Sequence, residues 1–286
     1  MYNAVNKTYK TLLAAGVSLA IACGMTSCGP SAEENAAAAL LGSAEAQYDL
    51  GEYQAAIDSV KALNERYRGY TDIRRSGLRI QALATEGLIK DSIEAIGPVL
   101  AQAQLDTDSL KKMFVHIDGA AAGMDGYYIA ASLVASSAMS TTGIQPRVDE
   151  AGYLFLTANV NGRNIGLNGL TIKSGNEVWT SGTLSPARVL NVEGSDIASF
   201  APEDLEGLWQ WLRAHDASGL KGILTGSRGN SEFAINPQLR AAIIESGEYA
   251  QAQQSLRSAS IQREKLERKL QAVRDQLANM PLPSED

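Results

Sequence analysis

The sequence predicts an α+β fold: N-terminal α-helical hairpins, a β-rich meander module with one covering helix, and a long C-terminal helix. Three observations carry this. Apolar residues recur at helical spacing through residues 36–112, and between residues 144 and 235 the period shortens to two, with glycine-containing turns between the runs. From Tyr249 onward a heptad places apolar residues at positions a and d. The organisation that follows is a leader (1–27), a short linker (28–35), a helical region (36–143), a β-rich module (144–235), a long helix (236–280) and a tail (281–286).

The leader has a cationic start with Lys7 and Lys10, an apolar run from Leu12 to Cys23 and a short polar passage to Cys28, the three-part layout of a secretory signal. Its apolar run is about half the roughly 20 residues that a membrane-spanning helix needs. Met25-Thr26-Ser27-Cys28 resembles the signal of bacterial lipoproteins, in which a larger apolar residue stands three before a cysteine and small residues stand just ahead of it. The resemblance implies that residues 1–27 are removed and that the Cys28 thiol carries a thioether-linked lipid, whose acyl chains contribute about 0.8 kcal/mol per buried CH2. Cys23, behind Ala20-Ile21-Ala22, is the alternative attachment site, and an ordinary secretory signal with incidental cysteines is the plainer reading. The stretch from Cys28 to Glu34, ending Glu33-Glu34, is similar to lipoproteins of the Bacteroidetes type. That likeness implies a cell-envelope protein held by its N-terminal lipid, expected at the outer membrane, with the periplasmic and the surface face both open.

Both cysteines lie in or beside the leader, so the folded part has no disulfide and no thiol ligand. Net charge is −7, and losing Lys7 and Lys10 takes the mature chain to −9. An acidic balance with no basic stripe argues against a nucleic-acid partner.

In the helical region, Gly51-Glu52-Tyr53-Gln54-Ala55-Ala56-Ile57 followed by Val60, Leu63 and Tyr67 resembles the second half of a tetratricopeptide repeat. The preceding helix, residues 36–50, offers Leu40, Ala44 and Tyr48 but lacks the family's leading tryptophan. A weaker second unit is expected with Gly87, 36 residues after Gly51, as its turn, between helices at 71–86 and 89–103. Leu78, Leu83, Ile93, Ile96 and Leu100 are its expected packing residues, and Pro98 is expected to kink the second helix. Two further helices are expected, one holding Leu110, Met113, Phe114 and Ile117 and one over residues 127–139. The resemblance implies a groove for peptides or partner proteins; bracing the next module is the structural alternative.

In the β-rich module, runs at 144–148 and 153–160 flank a turn at Asp149-Glu150-Ala151-Gly152, and Asn161-Gly162 predicts another hairpin. Further strands are expected at 169–173, 177–181 and 187–192, with a last pair at 220–225 and 232–235. Pro202 with Glu203 and Asp204 predicts a helix start, with Leu205, Leu208, Trp209 and Leu212 on its covering face. Trp211 falls off that face. Trp179, Trp211 and Tyr153 are candidates for a platform that stacks sugar rings; closing the small core is their alternative role.

Asn236 and Pro237 predict a cap and a first-turn proline, with an interruption near Gly247. The heptad then reads Tyr249, Ala252, Leu256, Ala259, Arg263, Leu266, Leu270, Val273 and Leu277. Leu256, Leu266, Leu270, Val273 and Leu277 are the candidate helix interface, serving either self-association and a partner protein or packing on the alanine-rich helices of the same chain.

Catalytic patterns are thin. The two histidines, His116 and His215, fall in a predicted packed position and at a predicted helix end, and neither a Gly-x-Ser-x-Gly elbow nor a His-Glu-x-x-His motif occurs. The carboxylate pairs Asp149-Glu150 and Glu203-Asp204 have turn and helix-start explanations, although two distant carboxylates could still serve a hydrolase. The expectation is a non-catalytic scaffold or protein-interaction module without metal or cofactor, and the alternative is a surface glycan-binding lipoprotein.

Overall fold

A computed structural model describes residues 31–119, 126–134, 140–216 and 218–281. Cys23 and Cys28 lie outside the described residues. Helix α1 (Ala32–Asp49) starts where the Ser31 hydroxyl accepts the Glu34 N–H at 3.1 Å, with Glu33 and Glu34 against the positive end of the helix dipole. Gly51, at φ 75°, turns the chain into α2 (Tyr53–Arg66), and the two helices pack through Ala37, Ala44, Ala56, Val60 and Leu63. This first hairpin has the expected form.

The second does not. A single helix, α3 (Thr71–Lys111), runs 41 residues through both Gly87 and Pro98, in place of two helices. Gly87 has no turn to make; a Cβ there would stand 2.5 Å from Cζ of Tyr53, so the missing side chain lets α2 lie close against α3. Leu78, an expected packing residue, is exposed, while Ile96 is buried.

The two helices expected next are also replaced. Phe114–Ile117 is strand β1 and Tyr127–Ala130 is β2, followed by a 3-10 turn at Ala131–Leu133; residues 135–139 of the second expected helix lie outside the described residues. Aromatic and β-branched side chains dominate both strands, and such residues favour extended backbone. The chain continues with β3 (Gly143–Asp149), β4 (Leu154–Val160), β5 (Leu167–Ser174), β6 (Glu177–Thr180), β7 (Val189–Val192) and β8 (Ser195–Phe200). After the short α4 (Leu208–Ala214) come β9 (Lys221–Gly226) and β10 (Gly229–Ala234).

These strands form two antiparallel sheets, ordered β1-β2-β3-β4-β8-β7 and β10-β9-β5-β6, in place of one meander. The Asn161-Gly162 turn forms, but it does not close a hairpin. β4 pairs with β8, and the chain passes to the second sheet for β5. β8 was not foreseen, because Ser195-Asp196-Ile197-Ala198-Ser199-Phe200 has only weak apolar alternation. The expected helix at Pro202 is a 3-10 turn, with α4 beginning only after Gly207.

Leu156, Ala158, Ala198 and Phe200 of the first sheet share one core with Leu170, Ile172 and Leu224 of the second and with Leu205, Leu208 and Leu212 around α4. Helix α5 (Pro237–Ala278) completes it. Asn236 caps α5 through the Leu239 N–H at 2.7 Å, and the helix continues through Gly247 without interruption for 42 residues. At Gly247 an added Cβ would enter the Trp209 ring of α4.

Tyr249 on α5 is 1% exposed, stacked on Phe114 at 4.6 Å between ring centroids and edge-on to Tyr128 at 5.4 Å. Burial pushes its phenol up to about 12. Further along, α5 lies antiparallel against α3. There Arg274 Nε donates to Glu86 at 3.1 Å, and Lys90 Nζ reaches the same oxygen at 2.8 Å. These bonds, that of Lys90 foremost, hold the Glu86 carboxyl below its usual 4.5.

Because Tyr249 joins α5 to both β1 and β2, Tyr249→Ala is expected to cost about 3–5 kcal/mol, the range for emptying a buried aromatic site. Tyr249→Phe should cost far less. Urea denaturation of the two variants, read by circular dichroism, checks the difference; near-equal midpoints would contradict it.

Candidate functional site

A concavity is built where α3, α4 and α5 meet. It is an open groove of about 890 Å3, with Val99, Gln102 and Asp106 from α3, Trp209 and Arg213 from α4, and Gln251 from α5 among its walls. Trp209 is held from behind by Gly247, and the Arg213 guanidinium lies 5.0 Å from its ring centroid while pairing with Glu248. Ser109 and Ser255 supply hydroxyls, and Asp106, Glu248 and Arg213 supply charge. The groove can hold a chain of mixed polarity by contact and hydrogen bonding. Trp209 was read from sequence only as part of a covering face, since a two-sided role leaves no separate mark on helical periodicity.

The aromatic candidates do not share one surface. Trp179 on β6 is 8% exposed and its indole N–H donates to the Glu206 carbonyl at 3.0 Å. Trp211 is half-buried, with the His215 ring stacked on it at 3.9 Å, so a sugar would have to displace that imidazole to use the same face. Tyr153, 44% exposed, follows the β3–β4 turn, where Gly152 meets Gln253 and Gln254 of α5.

Of the heptad positions, Tyr249 and Ala259 are buried; Leu256, Leu266, Leu270, Val273 and Leu277 are half-buried on the same stripe. Arg263 is exposed and pairs with Glu267 at 2.9 Å. The stripe runs along α3 of the same chain, so packing within the chain is the arrangement adopted.

His116 is not a packed core residue. It stands exposed on β1, with Nε2 at 2.9 Å from Glu150 and Nδ1 at 3.2 Å from Asp118. His215 caps the end of α4 as expected: Nδ1 donates to the Trp211 carbonyl at 2.6 Å and Nε2 to Glu177 at 2.7 Å. Among the described residues no three metal-ligating side chains converge, and no helix is long and apolar enough to cross a membrane.

Compared with family models, the chain matches none. No curated protein and no solved structure matches it either.

Since both ring nitrogens of His215 face acceptors, the doubly protonated form is favoured. Its pKa is raised above the usual 6.5, first by the bond to Trp211 and then by Glu177. A raised pKa means that the stabilisation is complete below pH 6.5 and is lost as pH rises through the folded value. NMR titration should find His215 above 6.5 and shifted downward in Glu177→Gln. An unchanged midpoint in the variant would remove Glu177 from the account.

Proposed function

We propose that the chain is a lipid-anchored cell-envelope protein acting as a non-catalytic scaffold, whose paired helices carry the β-rich module away from the membrane toward a protein partner. One observation supports this above the others. Ser31 lies 2.9 Å from the Tyr70 hydroxyl, at the start of α3, while the β strands begin just beyond its end. At 1.5 Å per residue, α3 separates those two points by about 60 Å. With lipid on Cys28, three residues before Ser31, the membrane lies at one end of the helix pair and the sheets at the other.

The far end has surface suited to a partner. β7 is an edge strand of the six-stranded sheet, and Leu190, 64% exposed, and Val192 lie on the same sheet face as Ile197. Apolar side chains beside unpaired backbone groups favour protein contact.

Intact mass of the protein from its native membrane, beside a Cys28→Ala variant, tests the anchor. Acyl chains on a mass starting at residue 28, absent from the variant, are expected; an unlipidated mass starting elsewhere removes the tether. The spacer is tested by dyes on the lipidated protein at Gly69→Cys and Lys112→Cys. Energy transfer to a labelled bilayer should be strong from position 69 and weak from 112, and equal transfer would rule out a spacer. Crosslinked membranes should yield a co-purified protein that Leu190→Asp with Val192→Asp releases; no enrichment over a tag control would count against the scaffold.

A further inference from the structure

We infer that the α2–α3 end of the helix pair is a docking surface for anionic phospholipid headgroups, working beside the lipid on Cys28; the inference rests on that anchor reading. The mature chain is acidic, yet residues 61–79 hold Lys61, Arg66, Arg68, Arg74, Arg75 and Arg79 against Glu65 and Asp72. All six cations sit on the last turns of α2, the intervening turn and the first turns of α3.

Arg66, Arg68 and Arg75 are exposed. Arg74 fixes the turn from within, its Nε donating to Asn64 at 3.0 Å and its Nη1 to the Arg68 carbonyl at 2.9 Å. Asp72 is matched by Arg75 at 3.4 Å. Glu33 and Glu34 of α1 adjoin the same end, Glu33 accepting from the Tyr70 hydroxyl at 3.5 Å, so the local excess is two positive charges on a chain whose overall sign is negative. Tyr67 and Tyr70, ring centroids 6.4 Å apart, add amphipathic aromatics of the kind enriched at headgroup level.

The covalent tether commits this surface to the membrane. Three residues from Cys28 to Ser31 reach at most about 11 Å when fully extended. Ser31 touches Tyr70, so a lipid on Cys28 brings the end of the helix pair that carries these arginines to the headgroups, and charge attraction acts on those that come within about one Debye length. Each exposed arginine then strengthens adsorption roughly fivefold on an anionic leaflet.

The test uses the mature chain with Cys28→Ser, a hexahistidine segment ahead of residue 28, and a dye at Gly69→Cys, a position with open space around its Cβ. The tag is held on nickel-chelating vesicles of phosphatidylcholine, alone or with about a third phosphatidylglycerol. Energy transfer to a labelled lipid should be greater on the anionic vesicles. It should fall to the neutral level in about 0.5 M sodium chloride, and equally in Arg66→Gln/Arg68→Gln/Arg75→Gln, whose adsorption constant drops by about a hundredfold on the fivefold figure.

Equal transfer on both vesicles overturns the proposal, as does a folded triple variant that behaves like its parent. An acidic protein as the true partner of this patch would give that flat result. Because the tag supplies the tether, a flat result leaves the acyl anchor standing, and a non-acylated native mass leaves the vesicle result standing.

Discussion

The contact on which the rest depends is the antiparallel packing of α3 on α5. Two helices of 41 and 42 residues with mixed charges along their length would each be marginal in water, because helix propensity alone contributes little without a buried face. The seam between them supplies that face with small residues, Ala103 on α3 and Ala259 on α5. Its register is held at two distant points. Tyr249 sits in the aromatic socket of Phe114 and Tyr128, and Arg274 sits on Glu86. A slip of one heptad, about 10 Å, would empty the first and break the second. The six-stranded sheet is then mounted on α5, and the α1–α2 hairpin on α3.

That dependence explains which parts of the fold were legible in the sequence. The first hairpin was, because Gly51 and the Tyr53 motif act locally. So were the cap at Asn236 and the strand pairs whose turns contain Gly152 or Gly175, because turn chemistry and capping are decided within a few residues. Gly87 was misread because a glycine in a helical pattern has two explanations, a turn or a close approach. Only the position of Tyr53 on another helix separates them. The pairing of β4 with β8 and the split into two sheets rest on contacts distant in sequence, which period and turn signals do not encode.

The candidate surfaces divide along the same line. The heptad stripe was visible as a stripe, but its partner was not, since apolar residues at a and d suit another copy and a helix of the same chain equally well. The groove beside Trp209 needs three helices from separate parts of the chain. The arginines of residues 61–79 were visible individually; their convergence on one end, beside Ser31, depended on α2 returning along α1 to the start of α3.

Charge gives the long axis a direction. Beyond residue 79 the chain carries more carboxylates than lysines and arginines, whereas the turn around Arg68 carries the opposite excess. In the proposed anchored state the cationic end of such a body is drawn toward an anionic surface and the acidic remainder is repelled, so the two forces turn the same way about a tether near Ser31. The attraction acts on a few side chains within a Debye length, and the repulsion fades beyond it. The torque is therefore greatest when the helix pair lies flat and weakens as it rises. A rigid pair converts that local imbalance into position at its far end: were α3 broken at Gly87, as a second repeat unit would require, the charge at Arg68 could not orient the sheets. The continuity of α3 through Gly87 and Pro98 is thus the feature that, under the proposed anchor, couples the chemistry of the Ser31 end to where the β-rich module stands.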